Sequence, residues 1–185
     1  MLKKLMIVAV LGVAGCAAQP DRLAFTPAPS TLQLQPLVRS AMVRTVSLPT
    51  YAAVEDIPLQ DASGLITADS GILWADDPQR AITLAISSTL AQITNADVGP
   101  EPWPFIGLPD VAIDIRVTRM IAGSDGTFQL AGQYFVGGDG VDFRDTARSF
   151  DIRQPMTDQS LGAISAAQSA AVLTLTEQIA RAIAR

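Results

Sequence analysis

The sequence predicts an α+β domain: a mostly antiparallel sheet with two helices packed on one face, after a signal peptide and an N-terminal tether. Three observations carry this. Apolar and polar residues alternate through Val111, Ile113, Ile115 and Val117, then again through Phe128, Leu130, Tyr134 and Val136, with "GSDG" and "GGDG" as turns; that is the pattern of a meander with one buried face. Ile82, Ile86, Leu90 and Ile93 stand four, four and three residues apart, the stripe of an amphipathic helix. A second helix is predicted over 159–185, where Leu161, Ile164, Val172, Leu175, Ile179 and Ile183 lie near one face and much of the rest is Ala and Ser.

The chain begins with Lys3 and Lys4, an uncharged apolar run over 5–14, and small residues before Cys16. These are the parts of a secretory signal. About ten apolar residues are too few to span a hydrocarbon core. Cys16 is the only cysteine, and Val13-Ala14-Gly15-Cys16 resembles the lipobox of bacterial lipoproteins. That resemblance implies cleavage before Cys16 and acylation of its thiol and amine. Each buried CH₂ contributes about 0.8 kcal/mol, so two or three acyl chains hold a protein on a bilayer. Ala17, Ala18 and Gln19 follow where an aspartate would favour retention at the inner membrane; the resemblance therefore implies the outer membrane, facing the periplasm. The expected organisation is a signal peptide over 1–15, a lipidated tether over 16–37 and a single domain over 38–185.

Residues 17–37 are rich in Pro, Gln, Ser and Thr and keep no 3.6-residue period. They read as a tether with a short strand near "RLAFTP"; about 20 extended residues span roughly 65 Å. A strand is expected over 38–48, ended by Pro49, and a loop over 57–63. Residues 64–74, "GLITADSGILW", read as a hairpin turning at "ADSG". Asp76-Asp77-Pro78 opens the first helix, with an N-cap carboxylate and a proline in the first turn. That helix ends near Asn95. A proline-rich loop, "VGPEPWPFIGLPD", leads to the meander. The third meander strand, 141–152, breaks phase near Arg144 to Thr146, as a bulge or a longer loop would. Asp114, Arg116, Thr118, Gln129 and Gln133 are expected on a solvated sheet face.

Both lysines lie in the signal. Of 13 basic residues, 11 arginines remain against 18 acidic ones, a net charge of −7. An acidic chain without a basic cluster argues against nucleic acid as a partner. The chain has no histidine, which removes His-based acid–base chemistry, Ser-His-Asp systems and nearly all zinc sites. Asp139, Asp142 and Asp145 lack the tight spacing and closing glutamate of a calcium loop. Asp76 and Asp77 are better explained as a helix start than as a catalytic pair. The expectation is no cofactor, no metal and no enzyme. Trp103 and Phe105 stand in a loop stiffened by prolines; they either cap the core or offer an apolar docking surface. Trp74 is expected in the core. Ala166, Ala170 and Ala180 put small residues on the last helix, which suits close packing on a sheet or on a neighbouring subunit.

The segments "VSLPTYA" (46–52) and "GLITADSGILWADDP" (64–78), together with the lipobox, resemble the PqiC-like ABC-type transport auxiliary lipoproteins. In that family a strand runs into Leu-Pro-x-Tyr, matched by Leu48-Pro49-Thr50-Tyr51. A Trp-Ala-Glu-Pro-like segment opens the first helix, matched by Trp74 to Pro78 with one extra residue and Asp for Glu. "PWP" and a late alanine-rich helix also fit. The resemblance implies a non-catalytic docking or anchoring subunit at the outer-membrane end of an MCE-type, ABC-linked lipid transport system. It implies an MCE-domain partner and a homo-oligomeric ring, with Trp103, Phe105, Ala166, Ala170 and Ala180 as the candidate docking surface. The alternatives are an outer-membrane assembly lipoprotein that binds a β-barrel, and a periplasmic hydrolase using Ser, Asp and Arg.

Overall fold

The computed structural model describes residues 19–138 and 143–184, with Asp69 and Ser70 described by their backbone alone. Eight strands and two helices follow in the order β1 (Asp21–Leu23), β2 (Ser40–Val43), β3 (Asp56–Gln60), β4 (Ile66–Trp74), α1 (Pro78–Thr94), β5 (Asp97–Pro100), β6 (Val111–Gly123), β7 (Thr127–Gly137), β8 (Thr146–Pro155) and α2 (Leu161–Ala182). The α+β class and the two packed helices are as the sequence predicts.

β6 is the spine of the sheet. One edge pairs along its length with β7, and β7 pairs with β8, both antiparallel. The other edge is shared. β2 pairs parallel to the start of β6 and carries β5; β3 pairs parallel to its end and carries β4 and β1. Four of the seven strand pairings described are parallel, so the sheet is mixed rather than mostly antiparallel. The reason is the long excursion between β2 and β6, which returns the chain to the same sheet in the same direction. The antiparallel ladders are the long ones, and only these leave a clear alternation in the sequence.

Burial follows that alternation. Val111, Ile113, Ile115, Phe128, Leu130, Tyr134 and Val136 are all buried, against α1 through Ile82, Ile86, Leu90 and Ile93 and against α2 through Ile164, Val172, Leu175 and Ile179. The opposite face is solvated: Arg116, Thr118 and Gln133 are exposed, and Arg116 pairs with Asp114 at 2.8 Å. A bulge between Val117 and Arg119 shifts the phase of β6, so that Met120 and Ala122 take the inner face.

The ends of α1 are set as the sequence implies. Asp77 caps it, its Oδ1 accepting from the Arg80 N–H at 2.8 Å, with Pro78 in the first turn. Asn95 closes it in the left-handed region at φ 53°, a conformation Asn tolerates. Asp77→Ala is expected to cost about 1 kcal/mol. Asp77→Asn, which keeps the acceptor, is expected to stay near the parent in a thermal melt.

Three local expectations change. Residues 57–63 contain a strand, not only a loop: Asp56–Gln60 forms β3. The hairpin turns at 61–65 rather than at "ADSG". Asp61 Oδ1 accepts from the Ser63 N–H, the Ser63 hydroxyl and the Leu65 N–H, and Gly64 sits at φ 91°; this side-chain-locked turn outcompetes the other. "ADSG" becomes the bulge of β4, where the partner of Asp56 is Leu73 and that of Ile57 is Asp69. The strand expected over 38–48 is regular only to Val43. Beyond it the bonding is shared: Arg44 and Ser47 still bond to β6, while α1 engages Val46, Thr83 Oγ1 accepting from the Val46 N–H at 3.0 Å and Gln79 donating to the Val46 carbonyl at 3.0 Å. Pro49 then leads into a 3₁₀ turn at Thr50–Ala52.

The tether also differs. Asp21–Leu23 adds to β4, and residues 24–37 lie across the two helices as a strap. The Ser169 hydroxyl donates to the Thr26 carbonyl (2.6 Å) and the Ser30 hydroxyl to Glu177 Oε1 (2.8 Å). The Leu34 N–H donates to the Ile93 carbonyl (2.9 Å) and the Leu37 N–H to the Ile183 carbonyl (2.8 Å). Phe25, Leu32 and Leu34 pack on the core. From Asp21 onward this segment belongs to the folded body.

Candidate functional site

The proline-rich segment is in part a strand. Asp97–Pro100 is β5, parallel to β2 at the sheet edge, and residues 101–110 form the loop that follows it. Both ends of that loop are clamped. At its start the Glu101 N–H donates to the Val43 carbonyl (2.8 Å), and Glu101 Oε2 accepts from the Thr45 N–H (3.1 Å). At its end the Asp110 N–H donates to the Ser40 hydroxyl (2.9 Å), and Asp110 Oδ2 accepts from the Arg39 N–H (2.8 Å).

Between the clamps, Pro104 and Trp103 sit on the bare backbone of Gly99. A Cβ there would stand 2.7 Å from the Pro104 ring and 3.4 Å from the indole. The Trp103 and Phe105 rings lie 4.9 Å apart at 59°, a tilted contact of the favourable kind. Trp103 is half-buried, and its Nε1–H is shielded from water without an acceptor. Trp103 is therefore the pedestal of the loop. The tip is elsewhere. Gly107 turns the chain at φ 89°, and around it Phe105 is 50% exposed, Ile106 106% and Leu108 89%. Apolar side chains this open, side by side on a braced loop, form a patch that nothing among the described residues covers, the usual mark of an interaction site.

Of the candidate residues, Trp103 and Phe105 come together. The three alanines do not join them. Ala166 is exposed and Ala170 half-buried, but Ala180 is fully buried, at 0%. The chain around Pro36 and Leu37 closes over that end of α2, bridging to Ala184 and Ile183. Small residues on α2 thus border the chain's own strap, and Ala180 is withdrawn from the docking surface. Ile106 and Leu108 are candidate docking residues that sequence reasoning misses. Their signal is "FIGLP", three apolar residues around a glycine in a proline-bounded loop with no period to bury them. Trp74 is in the core at 4%. Tyr51, from the Leu-Pro-x-Tyr segment, accepts a hydrogen bond from the Met120 N–H at 3.2 Å, next to the β6 bulge. The segments behind the resemblance are thus structural. Cys16, Asp139 and Asp142 lie outside the described residues. Among those described, no group of three or more His, Cys, Asp or Glu is placed to hold a metal ion, and no helix is long and apolar enough to cross a membrane.

The body has two layers, a sheet and a pair of helices, and turns an apolar loop outward. The chain belongs to the family of ABC-type transport auxiliary lipoprotein components, whose model matches residues 22–180. No curated protein matches the sequence. A crystal structure of an uncharacterised protein is similar over 87% of this chain and 98% of its own, with 16% identity and a TM-score of 0.70. A protein from Xanthomonas campestris is similar over 85% of this chain and 92% of its own, with 15% identity and a TM-score of 0.67. At such identities the two likenesses speak to the fold alone.

Proposed function

We propose that this auxiliary lipoprotein is a non-catalytic docking subunit of an MCE-type, ABC-linked system that moves lipid between membranes. It is anchored through Cys16 to the outer membrane, faces the periplasm and works as a ring of identical copies. The family supplies the transport setting. The observation that carries docking is the braced apolar tip at Phe105, Ile106 and Leu108. A small domain has little concave surface of its own, whereas a closed ring repeats one patch pair around a central opening. A crosslinking pull-down from envelope extracts tests the partner. Recovery of an MCE-domain protein supports the reading; recovery of a β-barrel assembly component in its place overturns it.

The anchor is tested separately. Cys16→Ser is expected to leave an uncleaved or soluble precursor on membrane fractionation. A variant that still fractionates as a mature outer-membrane protein removes Cys16 from the account.

A further inference from the structure

The end of β6 opposite the apolar tip is polar. Some twelve residue steps separate the two, about 40 Å along an extended strand. There the β3–β4 turn and the β6–β7 turn face each other across a cleft of about 270 Å³, with Gln60, Asp61, Arg119, Asp125, Thr127 and Gln129 in its lining.

Arg119 stands out among the ten described arginines. It is the one that is not exposed, and among the described residues no carboxylate lies within ion-pair distance of it. Its Nη2 donates to Gln60 Oε1, while its Nε–H is shielded from water with no acceptor. Asp151, on the same sheet face, is engaged by Gln129 and Arg153. A guanidinium N–H shielded from water is costly to hold without an acceptor, and the remaining Nη donors of Arg119 border the cleft.

The rim carries the opposite charge. Asp61 and Asp125 sit in matching turns. Each uses one oxygen, Oδ1, to accept from a backbone N–H and a hydroxyl two residues on, Ser63 in one turn and Thr127 in the other. The second oxygen of each carboxylate takes no part in those turns. The Ser63 hydroxyl holds the Asp61 carboxyl below the usual aspartate range, and the Thr127 hydroxyl does the same for Asp125.

A lone anion would meet the two carboxylates, and a lone cation would meet the guanidinium. We propose that the cleft binds a compact zwitterion of the phosphoethanolamine kind, its phosphate on Arg119 and its ammonium at Asp61 and Asp125. Phosphate is the anionic end because its several acceptor oxygens match a forked donor with unused N–H groups. The group is either a lipid headgroup or a free phosphate ester.

The test is calorimetric titration of the mature lipidated chain in maltoside micelles. The probes are phosphoethanolamine, inorganic phosphate, ethanolamine and dihexanoyl phosphatidylethanolamine. Phosphoethanolamine is expected to bind more tightly than phosphate or ethanolamine. Arg119→Gln should weaken it by roughly tenfold or more, the worth of a hydrogen bond to a charged group. Asp61→Asn and Asp125→Asn keep the turn acceptor and remove the charge, so each should weaken the zwitterion while sparing the fold in a thermal melt. Retained or tighter binding of the dihexanoyl lipid identifies a headgroup; its loss identifies a free ester. The proposal is overturned if phosphoethanolamine does not bind, or if Arg119→Gln leaves its affinity unchanged. It is equally overturned if the Asp→Asn variants bind more tightly, which marks a simple anion site.

Discussion

A protein carrying Ile106→Ser and Leu108→Ser is expected to fold as the parent does and to lose assembly and partner capture. Both side chains lie almost wholly in solvent, so their removal should change stability by less than about 0.5 kcal/mol. Buried at an interface, each would contribute about 1.5–3 kcal/mol. Losing both therefore weakens association by about 3–6 kcal/mol, roughly 10²- to 10⁴-fold. Trp103→Ala is a poorer probe, because the indole packs on Gly99 and on Phe105; that variant should lose stability and binding together. Mass photometry with and without the proposed MCE-domain partner, beside a thermal melt, reads both quantities. Unchanged assembly in the double variant would remove the loop from the docking surface.

Gly132→Ala should destabilise the fold strongly. Gly132 faces the β6 bulge across the β6–β7 ladder. A Cβ there would stand 2.2 Å from the Arg116 carbonyl oxygen, 2.9 Å from the Val117 Cα and 2.9 Å from Phe150. Two of the three obstacles are backbone, which yields only if the ladder opens. Overpacking of this kind costs about 3 kcal/mol, and at this chain length that lowers Tm by roughly 6–12 °C. Gly162→Ala is the control. Its Cβ would meet nothing nearer than the Ser160 hydroxyl at 4.0 Å, and a helical Gly→Ala change stabilises by about 0.5–1 kcal/mol. A Gly132→Ala protein that melts with the parent would show that the two strands separate more easily than their close approach implies.

What is legible in the sequence follows from length of pattern. The helices, the Asp77 cap and the long β6–β7–β8 ladders announce themselves because a period must repeat several times before it stands out. β2, β3 and β5 have four or five residues each, too few for alternation to separate them from loop, and the parallel pairing of β2 with β5 and β6 leaves no tight turn behind. "DASG" and "ADSG" are equally good turn material by composition; the Asp61 side chain decides between them through bonds that composition does not reveal. The strap hides for a different reason. It lacks a helical period because its period is two: Leu32, Leu34, Pro36 and Val38 turn inward while Thr31, Gln33, Gln35 and Leu37 turn out. Half of the candidate docking site is visible in its aromatics. The other half, Ile106 and Leu108, is hidden because exposed apolar residues obey no period at all.

The docked strap changes how the body rides on its bilayer. If Cys16 is the mooring point, as proposed, only residues 16–20 separate it from β1, a stretch that reaches at most about 17 Å even when drawn straight. A line free as far as Leu37 would have extended several times that length. An anchor at Cys16 would therefore berth the domain against the headgroups, with β1 and the neighbouring end of β4 nearest the surface. So anchored, it could not swing out to meet a distant partner, and whatever docks on it would have to cross the intervening space itself.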